Sequence, residues 1–257
     1  MPSLTIPSTG TLPTILFVCG AWHEPWCFDL VRQSLADRGF ESEAPALPTV
    51  GTRDPNLGLQ DDAQAIRTDL EKLIDDGKEV ILVAHSYGGI VASNSVEGLN
   101  VKTRASQGLK GGVSMIVFLC AFTIPAGATV RSSLGGNLLP WYDTSKACDT
   151  HLMRELFYHD VEPLLAETAV ALIKPQPYRI IEDKSTFEPW LEGFEVGYIF
   201  TETDKALPLK AQKLLFSHFP KGSWSATLAA AHSPFLNVPD ELGAAIEESA
   251  NFVSSKK

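Results

Sequence analysis

Two patterns of apolar residues alternate along the chain. Thr14 to Cys19 is an unbroken, β-rich apolar run closed by Gly20, as expected of a strand buried on both faces of a parallel sheet. Trp26, Leu30, Val31 and Leu35 follow at helical spacing, and Gly39 stands where a C-terminal cap belongs. A second stripe of Leu59, Ala63, Ile66, Leu70 and Leu73 predicts another helix, with Asp61 and Asp62 in its first turn complementing the dipole and Gly77 ending it. Glu79 to Ala84 returns to the strand pattern and runs into His85-Ser86-Tyr87-Gly88-Gly89, then a helix of small residues from Ile90 to Asn94. Val113 to Ala121 and Phe194 to Phe200 repeat the buried-strand run. A short strand is expected near Trp224 to Leu228, and a final helix over Pro239 to Val253 places Leu242, Ala245, Ile246, Phe252 and Val253 on one face. The hydrophilic stretch Asn100 to Lys110 reads as a solvated loop.

Strands alternating with amphipathic helices predict an α/β fold with a mainly parallel sheet flanked by helices. Residues 125–192 break the rhythm. They carry Trp141, Tyr142, Phe157, Tyr158, Tyr178, Phe187 and Trp190 among prolines and short helical stripes, too long for a connection and too apolar for a disordered one. The division expected is a sheet core over 1–124 and 193–257, with 125–192 inserted as a helical lid.

Composition narrows the choice of partner. With 21 basic and 31 acidic residues the formal charge is −10, which leaves no basic footprint for a phosphate backbone or an anionic membrane. No apolar run approaches the roughly 18 residues of a membrane helix, so a soluble, cytoplasmic protein is expected. The four cysteines make no disulfide framework in a chain of 257 residues, and Cys19 and Cys120 sit in apolar runs as small buried hydrophobes.

The segment carrying chemistry is Ala84-His85-Ser86-Tyr87-Gly88. It is a nucleophile elbow of the Gly-x-Ser-x-Gly type, with alanine in the first glycine position, at the strand-to-helix junction the motif requires. A serine hydroxyl is a weak nucleophile until a base takes its proton, so an acid and then a histidine are expected downstream. Asp204 lies on the acidic loop after the Phe194 to Phe200 strand, with Glu202, Asp183 and Glu195 as rival carboxylates; His232 lies on a loop before the last helix. Cys19-Gly20-Ala21-Trp22-His23 follows the first strand, on the loop that supplies such hydrolases with their second oxyanion donor. The Ala21 and Tyr87 backbone amides are the expected oxyanion hole, with His23 a pocket wall. Trp141 and Trp190 are the lid residues expected to touch substrate. His151 and His159 with Asp160 have no metal-ligand spacing, and no dinucleotide fingerprint or Walker loop is present, so no metal and no cofactor is implied.

With these residues in hand the chain resembles the α/β-hydrolase superfamily, and within it the plant methyl esterase and hydroxynitrile lyase group. The resemblance is carried by Phe17 to His23 with Trp26, by Val80 to Gly89, by Val117 to Phe122, by Thr203 to Pro208 with Gln212, and by His232 with Pro234. It implies Ser86, Asp204 and His232 as a triad and Ala21 with Tyr87 as the oxyanion hole. Cys19 and Ala84 depart from the group's histidine and glycine at positions without chemistry. The lyase branch uses a threonine in the oxyanion loop and a lysine after the catalytic histidine; here those positions are Ala21 and Ser233, so the resemblance implies the hydrolytic branch.

The function expected is therefore cleavage of a carboxylic ester, lactone or thioester of a small apolar or aromatic molecule. The partner is that small-molecule substrate, with no nucleic acid and no membrane, and a homodimer is left open. A ligand-binding protein on the same fold, as some plant hormone receptors are, and a hydroxynitrile lyase or other carbon–carbon bond-cleaving enzyme using the same residues are the alternatives.

Overall fold

The apolar runs become the strands of one parallel sheet. The computed structural model describes residues 12–134, 136 and 150–256. Its strands are β1 (Thr14–Val18), β2 (Ser42–Glu43), β3 (Glu79–His85), β4 (Gly112–Leu119), β5 (Val196–Thr201) and β6 (Trp224–Leu228), in the order β2-β1-β3-β4-β5-β6. Every pairing is parallel, with Val18 opposite Ala84 and Ala84 opposite Phe118. All residues of β1, β4 and β5 are buried, because helices cover both faces and a parallel sheet has no wet side.

The helices are α1 (Asp29–Asp37), α2 (Leu59–Asp75), α3 (Gly88–Ser95), α4 (Val101–Ser106), α5 (Val130–Ser133), α6 (Thr150–Phe157), α7 (Pro163–Ala171), α8 (Leu209–Phe216), α9 (Pro234–Asn237) and α10 (Pro239–Ser254). α1 packs on α10 and α2 on α3, while α10 and α3 both lie against β4. Between β4 and β5 come α5, α6, α7 and a 3₁₀ turn at Tyr178–Ile181. Among the described residues no helix is long and apolar enough to cross a membrane.

Two expectations are corrected here. Asn100 to Lys110 is not a loop throughout, since α4 occupies its middle. The Asn100 side chain caps that helix by accepting the Lys102 N–H at 2.8 Å. Arg104 is only 7% exposed and its guanidinium donates to the Ile74 carbonyl and the Asp75 carboxylate. A hydrophilic composition hid a structural arginine whose partners are remote in sequence. The first helical stripe begins as a 3₁₀ turn at Pro25–Phe28, and the register that follows leaves Leu30 45% exposed while Val31 and Leu35 are buried. Asp62, in the first turn of α2 as expected, is completely buried.

Candidate active site

The elbow begins where β3 ends. Ser86 has φ +53°, in the left-handed region that non-glycine residues seldom occupy, and it is held there by its own main chain. Its N–H donates to the Leu119 carbonyl at 3.2 Å, and its carbonyl accepts the N–H groups of Gly89 and Phe122, each at 3.1 Å. The turn is tight enough to require glycine on its helical side. A Cβ on Gly88 would stand 2.4 Å from the Val18 carbonyl oxygen, and one on Gly89 would stand 2.5 Å from that of Phe122. The serine hydroxyl is thereby presented at the carboxyl ends of the strands, where open α/β sheets form their crevices.

Asp204 and His232 meet it from the loops after β5 and β6. One Asp204 oxygen, Oδ1, accepts the N–H groups of Ala206 and Leu207, both at 2.8 Å. The other, Oδ2, accepts the Thr201 hydroxyl at 3.1 Å and faces His232 Nδ1 at 2.7 Å. A carboxylate only accepts, so the Nδ1 proton points to Asp204 and the bare Nε2 faces Ser86 Oγ at 3.0 Å. Asp204 and His232 are buried, at 5% and 3% exposure, which shields the pair from competing water.

The rival carboxylates are spent elsewhere or exposed. Asp183 accepts the Leu59 N–H at the start of α2, Glu195 pairs with Lys256 at 2.6 Å, and Glu202 points to solvent. Three further residues support this line. Gln212 is buried and binds both the main chain of Thr201 and the Leu207 carbonyl, bracing the acid loop. His85 Nε2 donates to the His232 carbonyl at 2.8 Å, and the Phe157 ring stacks on the His232 imidazole at 5.3 Å between centroids.

The expected oxyanion turn lies beside the serine. His23 Nδ1 donates to the Ala21 carbonyl at 2.7 Å, which leaves Nε2 to accept the Tyr158 hydroxyl at 2.7 Å. Ala21, His23, Ser86 and His232 line a cleft with Trp22, Phe122, Phe157 and Leu207. The cleft encloses about 290 Å³ including its open mouth.

The segment ending α6 reaches all three loops: Glu155 pairs with Lys205, Tyr158 bonds His23, and Asp160 Oδ2 accepts the Ala231 N–H at 2.6 Å and the Asn237 amide at 3.0 Å. Trp190 does not line this cleft among the described residues. It is buried on Phe219 and His218 against Phe118 of β4, so its ring serves the core, and the expectation that it touches substrate is corrected. Trp141 lies outside the described residues.

Burial lowers the His23 pKa from 6.5 to about 4, and the imidazole is neutral at ordinary pH. The folded protein refuses this proton down to about pH 4 while the unfolded chain takes it near 6.5. Stability from this residue is thus complete above the unfolded value and falls on acidification, by about 3 kcal/mol across that window. Burial also depresses His85, with the same sign. Thermal melting should therefore occur at lower temperature at pH 4.5 than at pH 7, and His23→Gln should flatten that dependence; an unchanged slope in the variant would remove His23 as its source.

His85, Cys120 and His232 are the cluster of metal-ligating side chains among the described residues, with ligand atoms within 4.8 Å of one another. His85 Nε2 and Cys120 Sγ are engaged on the His232 carbonyl and His232 on Asp204 and Ser86, while the buried His85 Nδ1 has no partner among the described residues. An ion held there would dismantle the hydrogen-bonded relay. Cys19, Cys27 and Cys120 are buried free thiols.

Known proteins agree with this architecture. The profile of the alpha/beta hydrolase family matches residues 15–245. The chain is 28% identical to the alpha/beta hydrolase nvfD of Aspergillus novofumigatus, covering 89% of this chain and 92% of that one. It is 27% identical to the pFDCC methylesterase MES16 of Arabidopsis thaliana, covering 95% and 97%. The crystal structure of MES16 superposes with a TM-score of 0.73 at 24% identity, over 94% of this chain and all of that one. A pyrethroid hydrolase from Sphingobium faniae JZ-2 superposes with the same score at 21% identity, over 94% and 98%. A match across nearly the whole sheet and its flanking helices places this chain in the alpha/beta hydrolase family.

Proposed function

We propose that the protein is a serine hydrolase that cleaves a carboxylic ester of a small, uncharged apolar or aromatic molecule. The observation carrying this reading is the unbroken line from Ser86 Oγ through both ring nitrogens of His232 to Asp204 Oδ2, at 3.0 and 2.7 Å. As His232 Nε2 takes its proton, Ser86 Oγ attacks the ester carbonyl, and Asp204 stabilises the imidazolium that forms. The carbonyl oxygen becomes an oxyanion between the Ala21 and Tyr87 N–H groups, neither of which donates to a described main-chain or side-chain acceptor. Collapse expels the alcohol, which receives its proton from His232 and leaves Ser86 acylated. Water, deprotonated by the same imidazole, then releases the acid and restores the serine.

The cleft limits the substrate. Trp22, Phe122, Phe157 and Leu207 give it apolar walls with no carboxylate or ammonium among them. A methyl or similarly small alkyl ester fits this description, and the methylesterase names among the relatives favour it. The test is intact-mass measurement after treatment with a fluorophosphonate, which should add one adduct to the wild type, together with turnover of p-nitrophenyl acetate. A protein that takes no adduct and hydrolyses no ester would refute the reading.

The lyase alternative makes a separate demand. Ala21 offers a methyl group and Ser233 a buried hydroxyl where that branch of the resemblance has a threonine and a lysine. The pair contains no cation to set against a departing cyanide. Purified protein should release no cyanide from mandelonitrile above a Ser86→Ala control, and robust enzyme-dependent release would establish the lyase.

A further inference from the structure

The turn that carries Ala21 is held in an unusual conformation by groups outside it. From the Gly20 carbonyl to the His23 N–H, every main-chain polar group but one has a partner among the described residues. The Gly20 carbonyl accepts the His23 N–H at 3.4 Å, the Ala21 carbonyl accepts His23 Nδ1–H, and the Trp22 carbonyl accepts the Lys174 N–H at 3.1 Å. The Trp22 N–H donates to Gln176 Oε1 at 2.8 Å. What is left is the Ala21 N–H, the group assigned to the oxyanion. Trp22 has φ +65°, a bulky residue in the left-handed region, a strain that persists only where the surroundings over-determine it.

Proton bookkeeping then fixes which way Gln176 faces. The Thr49 hydroxyl has one proton and gives it to Asp62 Oδ2 at 2.7 Å, so toward Gln176 it can only accept. Gln176 Nε2 therefore donates to Thr49 Oγ1, at 2.6 Å, and its carbonyl oxygen is aimed at the Trp22 N–H. Asp62 also accepts the Thr49 N–H at 3.0 Å and, on the oxygen shared with the Thr49 hydroxyl, the Tyr87 hydroxyl at 2.9 Å. Thr49 and Asp62 are completely buried, and the carboxylate's burial is offset by these three donors. One carboxylate thus ties the side chain of Tyr87, whose N–H is one half of the oxyanion hole, to the turn that supplies the other half.

We infer that Asp62, Thr49 and Gln176 form a positioning relay that sets the two halves of the oxyanion hole at a fixed separation, with Gln176 as the arm that holds the Ala21–Trp22 peptide. The inference rests on the Ser86 esterase reading. None of the three touches substrate; they act through the placement of the two N–H groups. Misplacing such a donor by about 1 Å costs up to about 100-fold, less than deleting it.

The experiment uses Gln176→Met, which keeps length and volume but neither donates nor accepts as an amide does. On p-nitrophenyl acetate its kcat should fall about 10- to 100-fold with KM changed less than about threefold. Affinity for an alkyl trifluoromethyl ketone, which adds to Ser86 as an oxyanion-bearing hemiketal, should fall by the same factor as kcat/KM. Thr49→Val should act in the same direction, and the double variant should lose little more than either single one, because the two changes break one relay. Gln176 is only half-buried, so its variant is the one that tests the relay if Thr49→Val fails to fold. A folded Gln176→Met protein with wild-type kcat, or one whose loss lies in KM while ketone affinity is unchanged, would overturn the relay and leave the esterase standing. A wild type without ester turnover or fluorophosphonate adduct would remove both.

Discussion

Ser86→Ala is expected to lower kcat for ester hydrolysis by on the order of 10⁶, the loss serine proteases show when their nucleophile is removed. Nothing else in the cleft replaces it, since the described lining residues other than the two histidines are apolar or aromatic. The fold should be indifferent to the change. The elbow is held by the Ser86 N–H on Leu119 and by the Ser86 carbonyl on Gly89 and Phe122, and the Oγ contributes to none of these. Alanine tolerates φ +53° about as well as serine does, so the melting temperature should move by no more than a few degrees. A fluorophosphonate should add mass to the wild type and not to the variant. Equal labelling of both would place the nucleophile elsewhere, and full activity in the variant would discard the serine mechanism.

The parts of this molecule legible in the sequence are those written in local pattern. Buried parallel strands appear as continuous apolar runs, so β1, β3, β4 and β5 fall within a residue or two of the runs that predicted them. The elbow is legible for a similar reason, since its geometry requires glycine at Gly88 and Gly89, within three residues of Ser86 in the chain. Asp204 and His232 were reachable because their order and their loops are constrained once a serine elbow is assumed.

What was not legible depends on pairs far apart in sequence. Arg104 looks like any loop arginine until the carbonyl of Ile74 is beside it. Asp62 reads as a dipole-favouring residue at a helix start, yet the fold sets Thr49 and Tyr87 around it. Gln176 and Trp22 are separated by 154 positions, and no periodicity records that bond. Trp190 shows the converse error, because an aromatic residue near a site is equally at home in a core, and here Phe219 and His218 claim it.

The second large effect discriminates between the carboxylates of the loop after β5. Asp204→Asn should lower turnover by roughly three to four orders of magnitude, whereas Glu202→Gln should change it less than about tenfold. The hydrogen bonds around Asp204 say why an amide cannot substitute. Its Oδ1 accepts two N–H groups, from Ala206 and Leu207, a position that only an oxygen can fill. The amide nitrogen of an asparagine is therefore forced into the place of Oδ2, opposite His232 Nδ1. A donor there requires Nδ1 to be the bare nitrogen, which moves the ring proton to Nε2 and aims it at Ser86 Oγ. The imidazole can then no longer take the serine proton, although every heavy atom stays within a few tenths of an ångström of its place. Glu202 is exposed, so its neutralisation alters only a screened charge. Rates for both variants on one ester, each measured with a thermal melt to confirm folding, decide the matter. If the Glu202 variant were the more damaged of the two, the acid would be Glu202, and Ser86 with His232 would keep their roles.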